Sequence, residues 1–309
     1  MVGGERSSSC AGLHSQAHAR AQANTKHYER ATSLMGEPLY STAARRPFLA
    51  HERPLFFAHR GGSLLAPENT LVAFEGGVSY GADALELDIQ MTLDGELVVI
   101  HDPAVDRTTN GTGPVARFTF DELRRLDAGF RFTPDGGATY PFRGQGHSIP
   151  LLREVFARFP AMRINIDLKA ADPERERRLW RLIQETAGED RVMVGSFLHT
   201  SLVRFRLLTG GRVATSASQR ETVRFLAAVA SRTTRLLRPA YDALQVPEKH
   251  RGVRVVSPAA ITAAHRLGLD VHVWTVDERA DMERLLAWGV DGLMTDRPDV
   301  LAPVLRTAG

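Results

Sequence analysis

Short apolar runs alternate with amphipathic stretches along most of the chain after Pro54. The first run, Leu55–Ala58, ends at the polar turn His59–Gly62, which is typical of a buried strand entering a loop. An amphipathic stretch follows, and the alternating segment Ala84–Met91 then predicts a second strand. Because strands and helices keep alternating to the C-terminus, the pattern predicts parallel strands joined by helices.

The number of predicted strands decides between two architectures. About eight strands each feed a helix, and eight is the number that closes a (β/α)8 TIM barrel. An open, doubly wound sheet usually needs fewer strands, and the first strand–helix turn lacks its Gly-rich fingerprint. We therefore expect an α/β protein with a TIM barrel. Beyond the first two, strands are predicted at 96–100, 163–168, 192–196, 212–216, 243–246, 270–276 and 292–295.

Two segments interrupt this rhythm. Residues 1–50 are polar and lack the apolar core of a secretory signal, so we expect a disordered tail before a barrel domain at 51–309. Residues 103–150 are rich in Gly, Thr, Phe and Pro and predict an insertion after the second strand. The total of 309 residues suits one barrel of about 250 residues with these additions.

Composition narrows the classes of function. The net charge is only +3 and no polybasic block is present, so nucleic acid is not an expected partner. The single cysteine, Cys10, excludes a disulfide framework within the chain. No apolar run reaches the ~18 residues of a membrane span. With no export signal visible, a cytoplasmic location is expected, and the sequence leaves the oligomeric state open.

Three carboxylates are predicted to face the barrel interior. Side chains two apart on a strand share a face, so Glu86 and Asp88 point the same way. The strand Arg163–Leu168 adds Asp167 beside them. One interpretation is that arginines pair with these carboxylates. The other is a divalent cation, for which oxygen ligands favour Mg²⁺ or Ca²⁺, with Mn²⁺ also compatible, over zinc.

Other chemistry-bearing residues stand at strand ends, where barrel sites lie. Histidine is the side chain that ordinarily changes charge near neutral pH, so His59 and His101 can act as a general acid and a general base. Arg60 and Lys169 can bind a phosphate, although each can equally pair with a nearby carboxylate.

Two further residues have less definite predicted roles. Glu68 begins the first helix and is a candidate site residue as well as a good N-terminal helix residue. Trp274 is a candidate pocket wall, with core packing as the alternative.

The ordered set of motifs between about residues 55 and 305 resembles the glycerophosphodiester phosphodiesterase family. The resemblance implies a TIM barrel with a small insertion, metal ligands at Glu86, Asp88 and Asp167, and catalytic histidines at His59 and His101. Many members have Glu at the position of Asp167. The motifs are His59–Gly62, Pro67–Thr70, Glu86–Asp88, His101-Asp102, Asp167–Lys169, Trp274–Val276 and Thr295–Pro298.

The implied reaction is metal-dependent hydrolysis of a glycerophosphodiester to an alcohol and glycerol 3-phosphate. Arg60 and Lys169 map onto phosphate-contacting positions of the family. Either histidine can be the acid, and a cyclic phosphate intermediate is compatible with a substrate that has a neighbouring hydroxyl.

Three alternatives stay open at this point. Residues 221–237 are predicted to be helical, and the leucines and basic residues of 221–247 could rest on a lipid surface, as in members that act as lysophospholipase D, or belong to an ordinary barrel helix. A non-catalytic barrel that binds a phosphorylated ligand or a partner protein would not need two histidines and three carboxylates. A sugar-phosphate isomerase or aldolase would need a reactive lysine, for which Lys169 is the obvious candidate.

Overall fold

A computed structural model describes residues 46–308, and eight parallel strands form its centre. Seven of the strand pairs are hydrogen-bonded neighbours in the order β6-β5-β4-β2-β1-β11-β10-β7. A parallel bridge between Ser216 and Ala243 then brings the two end strands together, so the sheet closes as the predicted barrel. The eight strands are β1 Leu55–His59, β2 Ala84–Met91, β4 Arg163–Leu168, β5 Val192–Gly195, β6 Ala214–Thr215, β7 Ala243–Pro247, β10 Asp270–Trp274 and β11 Gly292–Thr295.

Helices connect successive strands and cover the outside of the barrel. Their apolar sides pack on the outward-facing residues of the strands, such as Leu85, Leu87 and Ile89. The helices are α1 Leu71–Ser79, α2 Phe120–Leu123, α3 Leu152–Arg158, α4 Pro173–Glu185, α5 His199–Thr209, α6 Gln219–Ala230, α7 Pro258–His265, α8 Arg279–Ala287 and α9 Pro298–Ala308. Within residues 46–308, no helix has the length and hydropathy needed to cross a bilayer.

The segment after β2 leaves the barrel, as expected for an insertion. The short strand β3, Leu97–Val99, returns antiparallel to the end of β2. Beyond it, the chain runs through loops and the short helix α2 around a small apolar cluster that includes Val105, Phe120 and Leu123. This arrangement places the insertion beside the carboxyl end of β2.

Two local expectations are wrong. A helix was expected over 221–237, but α6 ends at Ala230 and Arg232 adopts a left-handed φ of 58°, which stops the helix. The hairpin β8 Lys249–His250 and β9 Val253–Arg254 was not expected, because its strands are only two residues long and carry no apolar alternation. The predicted tail 1–50 lies almost entirely outside the described residues.

The amino-terminal end of the barrel is closed by apolar side chains. Phe48 and Leu49, in the 3-10 turn Pro47–Leu49, pack with residues of the strand interiors such as Phe57 and Met294. Phe48 is only 1% exposed. The turn before β1 therefore seals the bottom of the barrel core.

We expect Phe48→Ala to lower the free energy of unfolding by about 3–5 kcal/mol, because it leaves a cavity in this seal. Urea unfolding followed by circular dichroism measures the change. Leu236→Ala is the matched control, since Leu236 is 69% exposed and its truncation should cost less than about 0.5 kcal/mol. Equal effects of the two substitutions would contradict the assignment of Phe48 to the core.

Candidate active site

The predicted site residues meet at the carboxyl ends of three neighbouring strands. His59 ends β1 and is level with Glu86 on β2. Asp88, two residues further along β2, is level with Asp167 on β4. The register of these parallel strands thus brings one histidine and three carboxylates to the same end of the barrel interior.

The turn after β1 uses its glycines for packing. Gly61 and Gly62 have φ values of 87° and 105°, and their N–H groups donate to the carbonyls of Ala58 and His59. A Cβ atom on Gly61 would lie 2.6 Å from the backbone of Ala73 in α1. A sharp turn accounts for these contacts, and it places Arg60 beside Glu68 and Asp88.

Both histidines have a carboxylate at Nδ1. Nδ1 of His59 lies 2.7 Å from Asp296 Oδ1, and Nδ1 of His101 lies 2.6 Å from Asp102 Oδ1. Such a partner favours the tautomer with the proton on Nδ1 and leaves Nε2 for chemistry. His59 Nε2 is 3.8 Å from Glu86 Oε2. Each imidazole is therefore oriented in the way that acid–base catalysis requires.

The two predicted phosphate-binding cations contact carboxylates. Arg60 donates to Glu68 over 3.0 Å, and its Nε lies 3.3 Å from Asp88 Oδ2. Lys169 Nζ lies 2.6 Å from Asp167 Oδ2 and 2.8 Å from Asp88 Oδ1. Both residues therefore form ion pairs in the structure, which is the alternative role given above. Glu68 is a partner of Arg60.

An arginine of the insertion joins the two sides of the site. Arg107 donates to both carboxylate oxygens of Glu68, over 2.7 and 2.8 Å, and to Asp102 Oδ2 over 2.6 Å. Glu68 is the partner of Arg60, and Asp102 is the partner of His101. Through Glu68 and Asp102, the planar guanidinium of Arg107 thus connects Arg60, a candidate phosphate-binding residue, with His101, a candidate catalytic residue.

Asn69 fixes the most buried carboxylate. Its side-chain amide donates to Asp88 Oδ2 over 2.9 Å, and its Oδ1 accepts the backbone N–H of Asp88. Asn69 is 2% exposed and has a left-handed φ of 59°, a conformation that asparagine tolerates better than most residues. The start of the first helix is therefore locked to the middle of β2.

The site contains more carboxylates than fixed cations. Within residues 46–308, three permanent cations pair with the cluster, namely Arg60, Arg107 and Lys169. The six carboxylates of the cluster are Glu68, Glu86, Asp88, Asp102, Asp167 and Asp296. The arrangement therefore leaves negative charge uncompensated unless histidines or a further cation contribute.

This imbalance appears in the pKa values of the carboxyl groups. Burial, together with the charge of Asp88, raises the pKa of Glu86 to about 7. Burial also raises the pKa of Asp167. Burial alone would raise the pKa of Asp88 too, but the charges of Lys169 and Arg60 outweigh it and lower that pKa. Glu86 and Asp167 are thus the carboxyl groups whose negative charge is least compensated.

The donor set fits a divalent cation. Asp88 Oδ1 is buried without a hydrogen bond, because the nearby Lys169 ammonium is poorly aligned with it. Carboxylate oxygens are the ligands preferred by Mg²⁺ and Ca²⁺, and a cation would lower the raised pKa values of Glu86 and Asp167. The ligand atoms of the three predicted ligands, Glu86, Asp88 and Asp167, do not all lie within 4.8 Å of one another. The one described group with three ligand atoms within 4.8 Å, His51, Asp270 and Asp291, lies at the opposite end of the barrel.

The carboxyl-terminal end of the barrel, where the site lies, is called the mouth below. Trp274 forms part of an aromatic wall on the side of the mouth opposite the carboxylates. It packs on the apolar interior of the barrel, and Phe197, which follows β5, meets it edge-on with ring centroids 5.8 Å apart. Phe197 is 53% exposed. The mouth therefore has a charged half over β1, β2 and β4 and an aromatic half opposite.

Sequence reasoning did not select five residues of this site. Asp102 and Asp296 were visible as parts of motifs, directly after His101 and Thr295, but their role as histidine partners depends on the fold. Arg107 and Phe197 carried no signal beyond residue type. Asn69 was visible in the motif that begins the first helix, although its bond to Asp88 spans 19 residues. The missed residues are Asn69, Asp102, Arg107, Phe197 and Asp296.

Comparison with known proteins agrees with this geometry. Residues 59–300 match the model of a family described as the glycerophosphoryl diester phosphodiesterase family. A glycerophosphodiester phosphodiesterase of Caldanaerobacter subterraneus is 36% identical over 264 residues, which is 83% of this chain and 100% of the relative. One from Bacillus subtilis is 34% identical, over 89% of this chain and 94% of its own length.

A solved structure shows the same fold. The glycerophosphodiester phosphodiesterase of Agrobacterium tumefaciens superposes with a TM-score of 0.65 at 27% identity. The alignment covers 81% of this chain and 99% of that protein.

The contact between His59 and Asp296 predicts how His59 titrates. Burial alone would lower the pKa of His59, but the Glu86 charge and the Asp296 hydrogen bond outweigh burial and raise it. Asp296→Asn should therefore lower the pKa of His59 by about one unit, measured by NMR titration of the imidazole. Asp299→Asn, which breaks only a surface pair with Arg297, should leave that pKa unchanged. An unchanged pKa in Asp296→Asn would contradict the assigned contact.

Proposed function

Because the chain belongs to the glycerophosphoryl diester phosphodiesterase family, we propose that it hydrolyses glycerophosphodiesters to an alcohol and glycerol 3-phosphate. The observation that carries the proposal is the pair of histidines, His59 and His101. Each has a carboxylate at Nδ1, and both stand beside the buried carboxylates at one end of the barrel. A non-catalytic barrel would gain nothing from two oriented imidazoles at this position.

Metal dependence forms part of the proposal. Members of the family generally depend on a divalent metal ion. In this chain Glu86, Asp88 and Asp167 would hold the ion, which the excess of buried carboxylates supports. When bound, the ion supplies positive charge that polarises a phosphoryl oxygen. Mg²⁺ and Ca²⁺ are the favoured candidates for an all-oxygen set, and the shorter side chain of Asp167 leaves more room than a glutamate would.

Proton transfer is assigned to the histidine pair. One imidazole accepts a proton from the attacking oxygen, which belongs to water or to a neighbouring hydroxyl of the substrate. As that oxygen bonds to phosphorus, the bond from phosphorus to the leaving alcohol breaks. The other imidazole, protonated beforehand, gives its proton to the departing oxygen. Attack by a substrate hydroxyl gives a cyclic phosphate, which water then opens to the monoester.

Arg60 and Lys169 bind the phosphate in this proposal. Both already lie over Asp88, and Arg60 Nε is buried without a hydrogen bond, so it has a donor left for an anion. Glu68 contributes indirectly, by holding Arg60 in place.

The direct test is turnover of glycerophosphocholine by the purified chain with Mg²⁺, Ca²⁺, Mn²⁺ or chelator. Loss of a general acid or base typically lowers the rate about 10²–10⁴-fold, so we expect the turnover of His59→Ala and of His101→Ala to fall by that factor. Glu86→Gln should lose the response to metal. His250→Ala, in the exposed β8–β9 hairpin, is the matched histidine control and should keep full activity.

Three outcomes separate the alternatives. Choline release that needs metal and disappears in the three site variants supports the proposal. Release that survives those substitutions would place the site elsewhere in the chain. No release with any metal, together with unaltered folding by circular dichroism, would favour a barrel that only binds its ligand.

A lysophospholipid is a second candidate substrate. Three apolar side chains at the ends of β1 and β5 are well exposed around the mouth, namely Leu64 (51%), Phe197 (53%) and Leu198 (39%). They could contact an acyl chain; on α6, Phe225 and Ala228 are buried while Val223 is exposed. Turnover of lysophosphatidylcholine that rises with acyl-chain length would favour this substrate over glycerophosphocholine.

Arg107 should act by positioning the residues around it. Arg107→Ala removes the link between Glu68 and Asp102, so we expect kcat to fall about 10–100-fold, as for loss of similar supporting contacts, with a smaller change in KM. Arg107→Lys should restore part of kcat, because lysine keeps the charge but cannot bridge both carboxylates. Arg117→Ala, in the same insertion, should have no effect. A change in KM alone would contradict a link to His101.

A further inference from the structure

A second group of metal-ligand side chains lies at the amino-terminal end of the barrel. His51 follows the turn that seals the barrel, Asp270 begins β10, and Asp291 precedes β11. One ligand atom from each lies within 4.8 Å of the other two, and His51 Nε2 is 3.1 Å from Asp270 Oδ2. All three side chains are largely buried, with exposures of 12%, 7% and 14%.

A fourth side chain, His272, lies beside Asp270 on the same strand, although its ligand atoms are not among those that lie within 4.8 Å of one another. His272 is fully buried, and its Nδ1 faces Gln245 at 3.3 Å. Its Nε2, on the other side of the ring, lies 3.7 Å from Asp270 Oδ2 and makes no hydrogen bond in the described structure. A buried ring nitrogen without a partner is uncommon in native proteins, and this one is available to bind an ion.

We propose that His51, Asp270, Asp291 and His272 form a second metal site, which binds a divalent ion of the zinc class. Two imidazole nitrogens with two carboxylate oxygens are a four-ligand set that zinc takes in tetrahedral geometry. Mg²⁺ and Ca²⁺ prefer oxygen alone, so the two ends of the barrel differ in the metal they select. Asp291 is already oriented by His265 at 2.7 Å and by the N–H of Val271 at 2.8 Å.

The position of the site indicates a structural role. Strand amino termini of a TIM barrel contribute to stability, while chemistry takes place at the other end. An ion at this site would tie the segment that follows Phe48 and Leu49 to the first residues of β10 and β11. The expected effect of zinc is therefore higher stability, with no direct effect on turnover.

The test measures zinc binding and stability in the full chain, without an activity assay. Calorimetric titration with Zn²⁺ should show a site that survives Glu86→Gln with Asp167→Asn, which disables the proposed catalytic ligands. Zinc at about 100 times its dissociation constant should raise the melting temperature by about 5 °C. Co²⁺ in place of zinc should give the visible absorption of a tetrahedral site.

His51→Gln and Asp270→Asn should each abolish the zinc-dependent shift and the Co²⁺ spectrum. His51 lies in a loop, so its variant should fold even if Asp270→Asn does not. His250→Gln is the control for zinc held by an exposed histidine and should behave as wild type. No calorimetric binding, or a shift that persists in His51→Gln or vanishes in the Glu86 and Asp167 variant, would overturn the proposal. Because turnover is not measured, these outcomes are independent of the proposed hydrolysis.

Discussion

The repulsion between buried carboxylates on β2 is the constraint on which the rest of the mouth depends. Glu86 and Asp88 share the inward face of one strand, and Asp167 stands beside Asp88 on the next. Burial of these groups would be costly without compensation. Arg60 and Lys169 reach Asp88, the amide of Asn69 holds it, and His59 stands beside Glu86. The connection between β1 and α1 supplies Arg60 and Asn69, and Lys169 is the residue that follows β4.

The compensation is incomplete, and that is what suits the site to its chemistry. A fully neutralised cluster would offer nothing to a cation. Here the raised pKa of Glu86, about 7, marks the place where positive charge is missing. The same carboxylates hold Arg60 and Lys169 at positions where a phosphate can meet them. One excess of negative charge therefore accounts for both metal affinity and placement of the anion-binding residues.

The sequence was sufficient for the barrel and for bringing the predicted carboxylates to one end of it. Period-two alternation in Ala84–Met91 places Glu86 and Asp88 on one face, and the register of β4 adds Asp167, because barrel strands align their carboxyl ends. Partners distant in sequence could not be derived. The contact of His59 with Asp296 spans 237 residues, and that of Arg107 with Glu68 spans 39. Such pairs follow from barrel closure and from the path of a loop, which local patterns do not encode. The β8–β9 hairpin was missed because its four strand residues are mostly charged and carry no alternation.

The position of Arg107 also bears on how this barrel can diversify. Arg107 lies only five residues after Asp102, so the part of the insertion that supports His101 is complete within its first turn. Phe120 and Leu123 pack on Val98 and Ile100, whereas the segment around Phe132 and Phe142 packs within itself through edge-on rings. Evolution or an engineer could therefore lengthen, shorten or exchange the segment around Phe132 and Phe142. The segment from His101 to Arg107 would have to be inherited as one block.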